Sequence, residues 1–98
     1  MHRIDGSYLT DASERYFIDI LSLLHEHGGS TNITEFLSIV RNGTTLRSVL
    51  DRFVEKGYIS IRSEVDDRYV RKIVSLTEKG SRISGPAYEF RNLVKKLE

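Results

Sequence analysis

The chain contains no cysteine, which excludes a disulfide framework, a thiolate zinc site and regulation by thiol oxidation. It has one proline, Pro86, and no tryptophan. No run approaches the roughly eighteen consecutive apolar residues that a spanning helix needs, and Met1-His2-Arg3-Ile4-Asp5 lacks the apolar stretch of a signal peptide. A soluble, cytoplasmic protein without a membrane partner is expected. Ninety-eight residues allow one domain with one modest core and no second.

Chemistry-bearing constellations are also scarce. There is no nucleophile with a base and an orienter, no glycine-rich phosphate loop and no distinctively spaced carboxylate pair, so an enzyme is not expected. His25 and His27, two positions apart on a helix, point about 160° apart and have no carboxylate cluster to complete a ligand set. Neither a metal nor another cofactor is expected. At the C-terminal end of a helix their positive charge is favourable.

What is present is an uneven distribution of charge. The net charge is only +1. Residues 1–40 hold Arg3 and Arg15 against Asp5, Asp11, Glu14, Asp19, Glu26 and Glu35, a net of −4, whereas residues 41–98 carry thirteen Lys or Arg against eight Asp or Glu, a net of +5. Composition alone favours the reading that such charges simply solvate the surface; their concentration in one half suits a polyanion partner.

Hydrophobic periodicity organises the rest. Asp11 and Glu14 form a capping pair ahead of Tyr16, Phe17, Ile20, Leu21, Leu23 and Leu24, which predicts a first helix over about 11–27, stopped at Gly28-Gly29. Its apolar arc is wider than one core contact needs, which offers Tyr16 and Leu23 to a partner subunit. Ser30 to Ile33 form a linker or minimal strand, and Thr34 caps a second helix through Val40 that buries Phe36, Leu37 and Val40. Arg41-Asn42-Gly43 make a tight turn with Asn42 or Gly43 at positive φ. A third helix over about 44–56 buries Leu46, Val49, Leu50 and Phe53, turns Thr45, Arg47, Ser48, Asp51 and Arg52 outward, and stops at Gly57.

Strands at 58–62 and 69–76, joined by a 63–68 loop, make a hairpin. Leu76 closes it and Thr77 caps the helical pattern that follows, so that Leu76 through Gly80 mark a boundary. Gly85-Pro86 must interrupt or kink that pattern, with Pro86 as the first residue of a final helix. Phe90, Leu93, Val94 and Leu97 share one face of it, and Ile83 precedes Phe90 by one heptad.

This order, with Thr34-Glu35 opening the second helix, Glu55-Lys56-Gly57-Tyr58-Ile59 closing the third, Asp66-Asp67-Arg68 in the hairpin loop and Leu76-Thr77-Glu78-Lys79-Gly80 after it, resembles the winged helix-turn-helix family, most closely MarR-like transcriptional regulators. The resemblance runs from Thr34 to about Ile83. It implies a mainly α fold with a small β-hairpin as the wing, a core over 11–80, and 81–98 as a C-terminal helix and dimerisation arm within one domain.

The resemblance further implies a homodimer that binds specific double-stranded DNA. Thr44, Thr45, Arg47 and Ser48 would enter the major groove, and Arg68, oriented by Asp66, the minor groove. An arginine on an exposed helix face can donate two hydrogen bonds to a guanine edge, while Arg41, Arg52, Lys56, Arg62, Arg71 and Lys72 are candidates for phosphate neutralisation. Tyr16, Leu23, Phe90, Leu93, Val94 and Leu97 are the expected dimer contacts.

The chain is shorter than typical members of that family, whose extra helices build a ligand pocket, and no small-molecule effector is expected. Glu64, Asp66 and Asp67 crowd the wing tip, and Asp51 sits on the outward face of the third helix. Tyr58 and Tyr69 are expected to pack within the hairpin, as strand aromatics commonly do, and not to stack on bases. Two alternatives remain: a winged helix used for protein contacts, since a fold does not fix a function, and a non-specific architectural DNA binder.

Overall fold

The computed structural model describes residues 6–98. In chain order the elements are α1 (Gly6–Ala12), α2 (Phe17–Glu26), β1 (Ser30–Asn32), a 3-10 helix (Ile33–Ser38), α3 (Gly43–Glu55), β2 (Ile59–Asp66), β3 (Tyr69–Leu76) and α4 (Glu78–Leu97). The result is a small α/β domain, mainly helical, with a three-stranded antiparallel sheet in the order β1-β3-β2. None of the described helices is long and apolar enough to cross a membrane.

One core joins all layers. Phe17, Ile20, Leu21 and Leu24 of α2, Phe36 of the 3-10 helix, Leu46, Leu50 and Phe53 of α3, and Ile59 and Val74 of the sheet are all but inaccessible. Phe17 sits edge-on to Phe53 and Tyr58, with ring centroids 5.4 and 4.9 Å away, a geometry that adds about 0.5–1.5 kcal/mol per pair beyond area burial. Tyr58 is fully buried, as expected of a packed aromatic, but Tyr69 is 70% exposed near the hairpin tip and packs on nothing in the core. Leu37, assigned to the core by its spacing, is also exposed.

The single helix expected over 11–27 is two. Asp11 does not cap a helix; it closes α1 with its carboxylate buried, and the chain then turns through Ser13 to Tyr16 before α2 begins. Tyr16 takes φ 71°, left-handed for a residue with a side chain, a conformation that costs about 1 kcal/mol or more and persists only where neighbours enforce it. They do so here: Asp11 is fixed to Tyr58 and Lys56 at one end, and Phe17 is locked into the core at the other.

The second helix is a 3-10 segment capped two residues earlier than expected, by Asn32 Oδ1 accepting from the Thr34 amide at 3.0 Å. In the following turn Asn42 keeps φ −87° and caps α3 by accepting from Thr45 N, 3.0 Å away. Neither Asn42 nor Gly43 has positive φ, because Asn serves here through its side-chain oxygen. Gly28, Gly29 and Gly57 do adopt positive φ and end α2 and α3 as the sequence predicts.

β3 spans 69–76 as expected, whereas β2 runs on past Arg62 to Asp66 and takes in most of the expected 63–68 loop. Pairing extends from Ile59 opposite Leu76 to Asp66 opposite Tyr69, which leaves only Asp67 and Arg68 as the turn. Asp67 takes φ 47°, which a short polar side chain tolerates. Ser30–Asn32 is indeed a minimal strand, paired with Ser75 through Ile73.

α4 is continuous through Pro86. Proline disfavours helical backbone in the preceding residue largely through that residue's Cβ, and the preceding residue is Gly85. Ser84 and Ala87, on either side, are buried, so tertiary packing holds the helix across the single missing amide. Thr77 caps its start by accepting from Gly80 N, as expected.

Candidate functional site

Two elements project chemistry away from the core: the outer face of α3 and the β2–β3 hairpin. Leu46, Leu50 and Phe53 seal the inner face of α3, which turns Thr44, Thr45, Arg47, Ser48, Asp51 and Arg52 to solvent. All four residues expected to enter a major groove therefore lie together on one exposed helical surface.

Arg47 and Asp51 on that surface are not independent. Arg47 Nε donates to Asp51 Oδ1 at 3.0 Å, one helical turn apart, with both side chains about half exposed. An exposed pair of this kind adds only a few tenths of a kcal/mol to stability. Its consequence is geometric. Bonding through Nε restricts the guanidinium plane while both terminal nitrogens stay available as a two-pronged donor. Asp51 thus orients the residue it accompanies.

Alongside runs a groove of about 380 Å³ lined by Glu14, Arg15, Tyr16, Thr45, Val49, Arg52 and Phe53. Arg15 lies over the Tyr16 ring, 4.9 Å from its centroid. Tyr16 therefore faces α3, not the edge of α2 where its spacing placed it, and like Leu23 it is half-buried and packs partly against the core. The cause for Tyr16 is the left-handed turn, which takes it out of register with α2. Arg15, by contrast, was not foreseen beside Thr45, since only the break between α1 and α2 brings it there.

The residues expected to meet phosphate divide into two sets. Lys56 is engaged internally: its Nζ donates to Asp11 Oδ1 at 2.6 Å and lies 3.0 Å from Glu14 Oε1. The hydrogen bonds to Asp11 and Glu14 raise its pKa despite some desolvation. It braces the α1–α2 turn against the end of α3 and is not displayed for a ligand. Arg52 donates to Glu14 Oε1 at 2.8 Å but stays largely exposed. Arg62 bonds Ser75 and Glu64, and Lys72 bonds Ser63, all on the hairpin.

Arg41, Arg68 and Arg71 form no ion pair among the described residues. The expected orientation of Arg68 by Asp66 is accordingly absent. Asp66 ends its strand opposite Tyr69, whereas Arg68 sits in the two-residue turn. Asp66, Asp67, Arg68, Tyr69 and Arg71 together line an open hollow of about 640 Å³ at the hairpin tip.

Behind this surface lies the group that holds α3 and the hairpin in place. Tyr58, at the α3–β2 junction, donates its hydroxyl to Asp11 Oδ2 at 2.6 Å. Lys79 sits over the Tyr58 ring, 4.4 Å from its centroid, and donates to the Lys56 carbonyl at 2.9 Å. Burial pulls the Asp11 carboxyl up, but hydrogen bonds from Lys56 and Tyr58 and the charges of Lys56 and Lys79 outweigh it and hold the carboxyl below the usual carboxylate range.

A depressed folded-state value makes the contribution of Asp11 complete above the unfolded-chain value of about 3.9 and removes it as pH falls through the lower folded value. Asp11→Asn should therefore lose about 1–3 kcal/mol at pH 7 and show a shallower decline in stability below about pH 4 than wild type. Urea unfolding at several pH values checks this; parallel curves for the two proteins would contradict it.

Comparisons with protein-family models, with curated proteins and with solved structures return no match.

Proposed function

We propose that the domain is a winged helix-turn-helix that binds double-stranded DNA as a homodimer, reads sequence with α3 in the major groove and applies the β2–β3 hairpin to the adjacent minor groove. The observation that carries this is the outer face of α3, where Thr44, Thr45, Ser48 and an Arg47 oriented by Asp51 present directional hydrogen-bonding groups on a helix whose other face is anchored in the core. An α-helix fits the major groove, and an arginine fork matches guanine O6 and N7, worth about 1–3 kcal/mol of discrimination. Gly57 at positive φ turns the chain from α3 directly into β2, so the wing leaves beside the recognition helix. The uncommitted Arg41, Arg68 and Arg71, with Arg52, Arg62 and Lys72, supply cations for phosphate, and the function follows as transcriptional regulation at an operator.

Two such helices in a dimer would meet half-sites about 34 Å apart. Anisotropy titration against mixed-sequence duplex should give micromolar or weaker affinity, and log K should fall against log salt with a slope of about −5 for some six phosphate contacts. Failure to bind any duplex at low salt, together with co-purification of one fixed protein, would instead favour a protein-contact module. That second reading draws on one observation, the exposed Val65, Tyr69 and Val70 near the acidic hairpin tip.

A further inference from the structure

α4 leaves a row of large apolar side chains in solvent: Phe90 and Leu93 are more than half exposed and Leu97 is 80% exposed. The row cannot be core waiting to rotate inward, because a neighbouring face of the helix is already fixed by buried Gly80, Ser84 and Ala87 and by Arg91, which donates to Asp19 at 2.8 Å. Its spacing is that of a two-stranded coiled-coil seam. Ile83, Phe90 and Leu97 recur every seven residues, interleaved with Pro86 and Leu93.

The two flanks of this seam differ in chemistry. On the flank away from the body of the domain stand Glu89 and Lys96, also seven residues apart, both exposed and neither in an ion pair among the described residues. On the flank towards the body stands Val94. Flanking charges of a coiled coil set the choice and direction of the partner, and these fit one direction only.

We propose that this face binds the same helix of a second copy of the chain, running antiparallel, which gives the dimer in the function proposed above a definite geometry. In that register Phe90 of each copy meets Leu93 of the other, Leu97 meets Pro86, and Glu89 lies across from Lys96 twice by symmetry. The twofold axis falls at the level of Arg91 and Asn92. A parallel pairing would set Glu89 against Val94 and leave both charges without partners. The occupant is therefore a second copy and the orientation antiparallel on the strength of charge complementarity.

Sedimentation velocity on the wild type and on Glu89→Lys, Lys96→Glu, the double variant and Leu93→Asp tests this, with circular dichroism to verify that each exposed substitution leaves the fold intact. The wild type should be a dimer. Each single charge reversal opposes like charges at two symmetric places and should raise the dimer dissociation constant about tenfold, the double reversal should restore it, and Leu93→Asp should be a folded monomer. A dimer indifferent to the single reversals would overturn the antiparallel pairing while leaving the homodimer reading intact; a wild type that stays monomeric at 100 µM would overturn both. Duplex binding measured on the same samples tests the DNA reading separately.

Discussion

Replacing Gly80 by alanine should cost about 3–5 kcal/mol and lower the melting temperature by roughly 20 °C, one of the largest single effects available in this domain. A Cβ at Gly80 would lie 2.0 Å from the Tyr58 carbonyl oxygen and 3.1 Å from Leu76 Cδ2. The first neighbour is backbone and cannot rotate away. That same carbonyl accepts from Thr77 N at 3.0 Å, and the Thr77 hydroxyl bonds the Gly57 carbonyl, so lifting α4 off to make room would break the hydrogen bonds that join α4 to the start of β2. A small domain has about 5–15 kcal/mol of stability in all. Thermal unfolding followed by circular dichroism checks the expectation, and a variant melting within about 5 °C of wild type would mean that α4 does not approach the strand this closely.

Replacing Arg47 by alanine should leave stability nearly unchanged and reduce affinity for the preferred site by about 100-fold, since one guanine contact is lost in each half of a dimer at about 1–3 kcal/mol apiece. Affinity for mixed-sequence duplex should fall only slightly, by the loss of a charge. Asp51→Ala should separate the two roles further. It removes a negative charge from the outer face of α3, so on the proposed reading non-specific binding should strengthen, while Arg47, no longer held through Nε, should discriminate less well at its base pair. Side-by-side anisotropy on preferred and base-substituted duplexes measures both; an Arg47→Ala protein with undiminished preference would remove α3 from the reading of sequence.

Much of this architecture is legible in the sequence wherever local and tertiary demands agree. Leu46, Leu50 and Phe53 at helical spacing, Gly57 as a stop, the strand over 69–76 and Thr77 as a cap each appear where expected. The exposed face of α3 follows directly from the buried one.

The differences arise where a distant contact overrides a local signal. Asp11 and Glu14 have the spacing of a capping pair, yet Asp11 meets Tyr58, forty-seven positions away, at the end of α1, and the expected helix is interrupted between there and Tyr16. Pro86 signals a break that packing on both sides, and a glycine before it, removes. Leu76 through Gly80 read as a mere boundary, but Gly80 packs so tightly on the Tyr58 carbonyl just ahead of β2 that a Cβ would not fit, and Lys79 covers Tyr58. No periodicity encodes such contacts. The pairing of Arg47 with Asp51 could have been found, since a four-residue spacing on an exposed helix face is a sufficient signal; the assignment of Lys56 to Asp11 could not.

The central claim, that α3 reads double-stranded DNA, is tested most directly by selection of bound duplexes from a random-sequence library with the wild-type protein, followed by sequencing. An inverted repeat should be enriched, with half-sites centred about one helical turn apart and a guanine in each half whose enrichment disappears when the selection is repeated with Arg47→Ala. A bound pool with no consensus would contradict the account and leave an architectural binder, and the absence of any bound pool at low salt would remove DNA from the function altogether.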